Sequence, residues 1–230
     1  MMKKQLGSAL IIVLVILVLV TLIGTLAVRS GILGLKLATN SQIQSLLLEN
    51  SNSALFNLEN PAQVRRQLAG DGMYYYFDKS ENAADELVFC YRASQSQFFS
   101  MNNASVIDSS GGITKNGVGG FCKANEFATG RSAILSQVYL KKTNQSNSPP
   151  LSNLPLGASV GANETPATLN DISATVVSVL PSFADASNAE IQECFKHRAS
   201  AVKECFQELN IPFNIQHADY KVGAQPKLIP

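Results

Sequence analysis

Between Ala9 and Val28 the chain runs for twenty residues without a charge, broken only by Thr21, Gly24 and Thr25. As an α-helix that run is ~30 Å long, the thickness of a hydrocarbon core, so it is predicted to cross a bilayer. A secretory signal has a shorter apolar region of ~7 to 15 residues and a small-x-small cleavage site, and "GTLAVRSG" at the end of this run is a poor match. Lys3 and Lys4 precede it and favour an orientation with the amino end in the cytoplasm, although Arg29 and Lys36 on the far side weaken that bias.

The periodicity does not stop where the membrane would. Ile32, Leu35, Ala38, Ile43, Leu46, Leu47, Ala54, Leu55 and Leu58 follow at mostly three- and four-residue steps, with Asn40, Gln42, Gln44, Asn50 and Asn52 between them. This is an amphipathic continuation of the same helix. Pro61, the first proline, supplies a stop after Asn60, so the expected helix covers about Ala9 to Leu58 and is ~75 Å long. Gly31 and Gly34 are weak points in it, each costing about 1 kcal/mol relative to alanine.

Hydrophobic residues make up 46% of the 230-residue chain, but many fall in this first quarter, so the rest must build its core from a text rich in Ser, Asn, Gln and Gly. The formal net charge is +1 and basic residues are scattered, which removes the footprint of a nucleic-acid binder. All four cysteines, Cys90, Cys122, Cys194 and Cys205, lie after the apolar run, where export would favour disulfides. Cys194 and Cys205 in one unbroken helix would be ~16 Å apart, beyond the ~7 Å that a disulfide spans. Either the helix breaks between them, or each joins a different partner among Cys90 and Cys122. The pairing Cys90 to Cys122 with Cys194 to Cys205 is preferred, against the uninterrupted periodicity. A metal set of Cys194, His197, Cys205 and His217 is a weaker alternative whose spacing matches no zinc pattern.

Beyond Pro61, "MYYYFDKS" and "ELVFCYRA" read as strands, and "SSGGITKNGVGGFCKA" as a loop whose Val118 stands where a phosphate-binding loop needs lysine. "SAILSQVYLKKT" and "DISATVVSVLPSF" alternate as strands. Between them, residues 144–166 form a long proline-containing loop. "SNAEIQECFKHRASAVKECFQELN" is the strongest helical stretch outside the amino terminus, capped by Ser187 or Asn188, with Ile191, Cys194, Phe195, Val202, Cys205, Phe206 and Leu209 on one stripe. Pro212 closes it, and the tail offers one last strand. No G-x-S-x-G, H-E-x-x-H or EF-hand pattern occurs. His197 and His217 read as solvated histidines; Asp85, Glu86, Glu193 and Glu204 read as solvated charges. No enzyme, cofactor or metal is expected.

"KKQLG" followed directly by "SALIIVLVILVLVTLIG" resembles the class III signal of type IV pilins and type II secretion pseudopilins, over roughly residues 1 to 58. The resemblance implies a leader of residues 1–7, removed by a prepilin peptidase after Gly7, and N-methylation of the new amino terminus, Ser8. The helix at 8–58, with its transmembrane segment 9–28, would be retained, with residues 59–230 as a pilin-like globular domain. Two positions depart from the family: Ser8 replaces the usual Phe, and Ile12 stands where most members carry a Glu. A carboxylate in an apolar core needs a partner, and a subunit with no neighbour above it can omit it. The string is most similar to the PilX-type minor pilins, which implies a place in a tip or priming complex for pilus assembly, with other minor pilins and a tip-associated adhesin as partners. The implied location is the inner membrane, single-pass, with the bulk in the periplasm or exposed at the pilus tip. The implied fold is α+β, a long N-terminal helix packed on an antiparallel sheet domain with at least one further helix. A type II secretion tip pseudopilin and a signal-anchored periplasmic binding protein or enzyme are the alternatives.

Overall fold

A computed structural model describes residues 6–60, 63, 66–67, 69, 71–97, 99–113, 115–130, 133–143 and 170–222. The loop expected over 144–166 lies outside them. The chain divides at Ser45 into an N-terminal unit and a folded unit that begins at Leu46.

Helix α1 runs from Leu6 to Glu59, 54 residues without a break at Gly31 or Gly34. In the N-terminal unit, Leu10 to Leu37 are exposed all round, with Ile12 at 55%. This is one helix long and apolar enough to span a membrane.

In the second unit, α1 contributes the turns from Leu46 to Glu59. Leu47, Ser51, Ala54 and Leu58 are buried there while Phe56 remains exposed, so only one face of the stripe meets the core. Strands β1 (Glu86–Cys90), β2 (Ser105–Ile107), β3 (Leu135–Lys142), β4 (Asn170–Val179) and β5 (Phe213–Val222) form an antiparallel sheet in the order β2-β1-β3-β4-β5. Its two faces carry separate cores. On one side Ala54 and Leu58 pack with Met73, Tyr74 and Phe77 against Phe89, Val138, Leu140, Ala174 and Val176. On the other, Ile191, Phe195, Val202 and Phe206 cover Val88, Leu135, Val177 and Val179. A sheet covered on both faces explains why all five residues of β1 are buried and why four of them, Leu87 to Cys90, form a continuous apolar run after Glu86. The result is an α+β fold with a pilin-like architecture.

One expected strand is a helix. "MYYYFD" forms α2 (Met73–Asp78), which buries Met73, Tyr74 and Phe77 and leaves Tyr75 exposed, the i, i+1, i+4 pattern of a helix turn. Gly72 precedes it with its α-carbon so close to the Arg66 and Gln67 backbone that a Cβ would sit 2.2 Å from the Gln67 carbonyl oxygen. Close packing at that glycine and burial of one helical face override the strand preference of the aromatics.

Candidate functional site

The folded unit holds its segment of α1 by apolar burial and by hydroxyls. Ser51 Oγ donates to Ser178 Oγ at 2.7 Å, and Ser178 is bonded in turn to Ser136 Oγ at 2.7 Å, all three fully buried. Ser136 and Ser178 are cross-strand partners on β3 and β4, so the helix is bonded to the middle of the sheet. Ser53 Oγ lies 2.7 Å from the Tyr91 hydroxyl, which also accepts from Asn57 Nδ2 at 3.1 Å. At the end of the helix, Gln67 Nε2 donates to the Leu58 carbonyl at 2.8 Å and satisfies a last-turn acceptor that the helix leaves open.

The opposite face is tied down covalently. Cys90 and Cys122 are bridged with a Cα separation of 4.8 Å, and Cys194 and Cys205 with 5.6 Å. The second bridge is feasible because the expected long helix is two helices, α3 (Asn188–Phe195) and α4 (Ala199–Glu208). Gln137 Nε2 and the Tyr139 hydroxyl both donate to the Phe195 carbonyl, at 2.7 and 2.9 Å, and so supply the acceptor's partners where the helix breaks. Gln137 also accepts from the Cys122 amide at 2.9 Å, so one buried glutamine joins both bridged segments. Burial holds the Tyr139 phenol pKa well above its ordinary value. Ser187 caps α3 through a reciprocal box with Glu190.

Asp85 and Glu86 are not solvated; both are 3% exposed. Asp85 takes Lys115 Nζ and the Tyr76 hydroxyl, each at 2.7 Å. The Asp85 bond raises the lysine pKa, and burial, followed by that carboxylate, raises the tyrosine's. Glu86 accepts from Arg198 Nε and Nη2 at 3.2 Å and from the Ala199 amide at 2.9 Å, capping α4 from the sheet. Arg198 also donates to the Ala84 and Asp108 carbonyls. These carboxylates anchor the helix pair and the Lys115 loop to the first strand; nothing in the local text around them marks partners so distant in sequence.

Gly7 and Ser8 lie in the first turns of α1, and Ile12 follows on the exposed apolar segment. His217 contacts Ser173 Oγ at 3.3 Å and Asp219 at 3.3 Å through the same ring nitrogen, Nε2, and Thr175 Oγ1 through Nδ1 at 3.1 Å. With serine and carboxylate sharing one nitrogen, the set lacks the nucleophile, base and orienter sequence of acyl-transfer sites. The metal set drawn from Cys194, His197, Cys205 and His217 is overturned by the disulfide, which removes both thiolates. Among the described residues no group of three His, Cys, Asp or Glu side chains could hold a metal ion. The residues thus form a packing and anchoring surface centred on α1, with covalent reinforcement behind it. No protein family, curated protein or solved structure matches the chain.

Proposed function

We propose that this chain is a minor pilin of the PilX type. Processed after Gly7 and N-methylated at Ser8, it waits in the inner membrane and joins other minor pilins and a tip-associated adhesin in a complex that primes or tips a type IV pilus. The observation that carries the reading is the succession of three things along the chain. A short basic leader ends in Gly7, an uncharged run follows immediately, and the helix then continues unbroken until its last turns enter the core of an antiparallel domain. A plain anchor needs only the middle part. The mechanism is exchange: apolar residues such as Leu14 and Leu22, exposed in the isolated chain, leave lipid for the helices of neighbouring subunits. Ile12 supports a terminal position, because a subunit with no neighbour above it has no terminal amine to neutralise there.

Two experiments test this. Gly7→Val should leave the whole population as precursor by mass spectrometry, while the wild type loses residues 1–7; an intact leader in the wild type would overturn the reading. Replacing residues 1–45 by an unrelated transmembrane helix should abolish pilus assembly with the folded unit intact. The swap stops at Ser45 because Leu47, Ala54 and Leu58 belong to the core. Normal assembly by that chimera would favour a signal-anchored binding protein instead.

A further inference from the structure

The glycine-rich loop between β2 and β3 holds a pair of residues whose chemistry the assembly reading leaves unused. Asn116 and Gly117 both have positive φ, 60° and 65°, the backbone that asparagine and glycine together favour in a tight turn. Of all the asparagines in the chain, Asn116 alone precedes a glycine. Asn116, Gly117 and Val118 are exposed, and the Gly117 amide donates no hydrogen bond among the described residues. Apart from its chain neighbours, none of the described atoms lies within 4 Å of where a Gly117 Cβ would stand. Asn116 Nδ2 donates to the Met101 carbonyl at 3.3 Å, a long bond made at the surface.

We propose that Asn116 is a site of spontaneous covalent modification, converting through a cyclic imide to aspartate and isoaspartate. The Gly117 amide gives its proton to hydroxide, and its nitrogen bonds to Asn116 Cγ while the Cγ–Nδ2 bond breaks. Nδ2 takes a proton from water and leaves as ammonia. Water then adds to one or the other imide carbonyl and opens the ring, so asparagine plus water becomes acid plus ammonia, with nothing oxidised or reduced. Ring closure requires the Asn116–Gly117 peptide to turn until its nitrogen faces Cγ. A glycine nitrogen has no Cβ beside it to obstruct that approach, and in an open loop the rotation displaces no packed side chain.

Two other places show what the fold does when it closes this route. Asn210 shares the left-handed backbone, with φ 50°, but its neighbour Ile211 is β-branched and buried, and the Ile211 amide donates to the Phe206 carbonyl at 3.0 Å. Asp71 precedes Gly72 and could form the same ring. There the Gly72 amide donates to the Ala69 carbonyl at 2.7 Å, the glycine is packed against the Gln67 backbone, and Arg66 holds the Asp71 carboxylate in its unreactive ionised form. An acid at position 116 no longer donates to Met101, and it sets a new carboxylate beside Lys115, whose Nζ now bonds Asp85 at 2.7 Å. The proposal does not depend on pilus membership or on cleavage at Gly7.

The test incubates the full-length protein in a neutral detergent, disulfides intact, at neutral and at mildly alkaline pH, and follows each asparagine by peptide-mapping mass spectrometry. Asn116 should gain the mass of an acid before any other asparagine, yield both aspartate and isoaspartate, and react faster at the higher pH. Gly117→Ala should slow the conversion about tenfold or more, because a methyl group then stands beside the attacking nitrogen. Asn116→Gln keeps the amide but needs a larger ring, and should leave position 116 unchanged over the same period, with circular dichroism confirming that each variant is folded. A synthetic peptide with the sequence of residues 113–119 supplies the rate without the fold. An unchanged Asn116 in the protein after that peptide has fully converted, aspartate as the sole product, or an equal rate in Gly117→Ala would each overturn the proposal.

Discussion

The two parts of α1 are both rich in leucine, yet they make opposite demands on their surroundings. From Leu10 to Val28 every side of the helix is apolar and exposed; from Leu47 to Leu58 a single stripe is apolar and buried, and Phe56 points away from it. A helix apolar all round has no preferred face and is satisfied only by lipid or by several other helices. A striped helix needs one sheet, and the folded unit supplies it. The difference teaches that one continuous helix can serve two solvents, with the change written in how many of its sides are apolar.

That contrast is broken most directly at Leu47. Leu47→Ala should destabilise the folded unit by ~2–5 kcal/mol in chemical unfolding of the full chain in detergent, whereas Leu14→Ala should not shift the transition. Equal effects at the two sites would mean that the distinction is false. The next largest effect sharpens the claim that the folded unit carries its own reinforcement. Cys194→Ser with Cys205→Ser should cost ~3 kcal/mol, and reduction of the wild type should imitate it. Glu86→Gln removes the charge that both Arg198 and the Ala199 amide face, and a loss of ~2 kcal/mol is expected by the same measurement.

The smallest effect is the most specific. Ser187→Ala should cost ~1 kcal/mol by removing the α3 cap. The Ser187 hydroxyl, then its amide, hold Glu190 below the ordinary glutamate range. Its contribution is therefore complete above the unfolded-chain value and fades as pH falls through the lower folded one. The gap between wild type and Ser187→Ala should accordingly be wider near about pH 7 than near about pH 3 in thermal melts.

What could be read from the sequence was whatever local text decides. The start of α3 at Ser187, the strands at "ELVFC" and "ISATVVSV", and the end of α1 before Pro61 each rest on a few adjacent residues. The exceptions have distant causes. The break after Phe195 depends on Gln137 and Tyr139, 58 and 56 residues earlier, which is why the stripe through Cys194 and Cys205 looked uninterrupted. Glu86 looked like a surface charge because its partner Arg198 is 112 residues away. The aromatics of α2 carry no polar alternation, so period could not separate helix from strand, and packing decided. For the candidate site, the apolar run was visible at once, whereas the hydroxyls of Ser51, Ser136 and Ser178 come together only in the fold.

The three buried serines have a further consequence. An apolar stripe decides which side of a helix faces a sheet, but it tolerates sliding: a shift by one turn, ~5.4 Å, would bring Ile43, Leu47 and Ala54 to the places of Leu47, Ser51 and Leu58. It would also press the Leu47 side chain against Ser178 and Ser136, which now share hydroxyl bonds with Ser51. The hydroxyls act as an index pin, fixing how far along its own axis the helix is seated, a setting that grease alone leaves free.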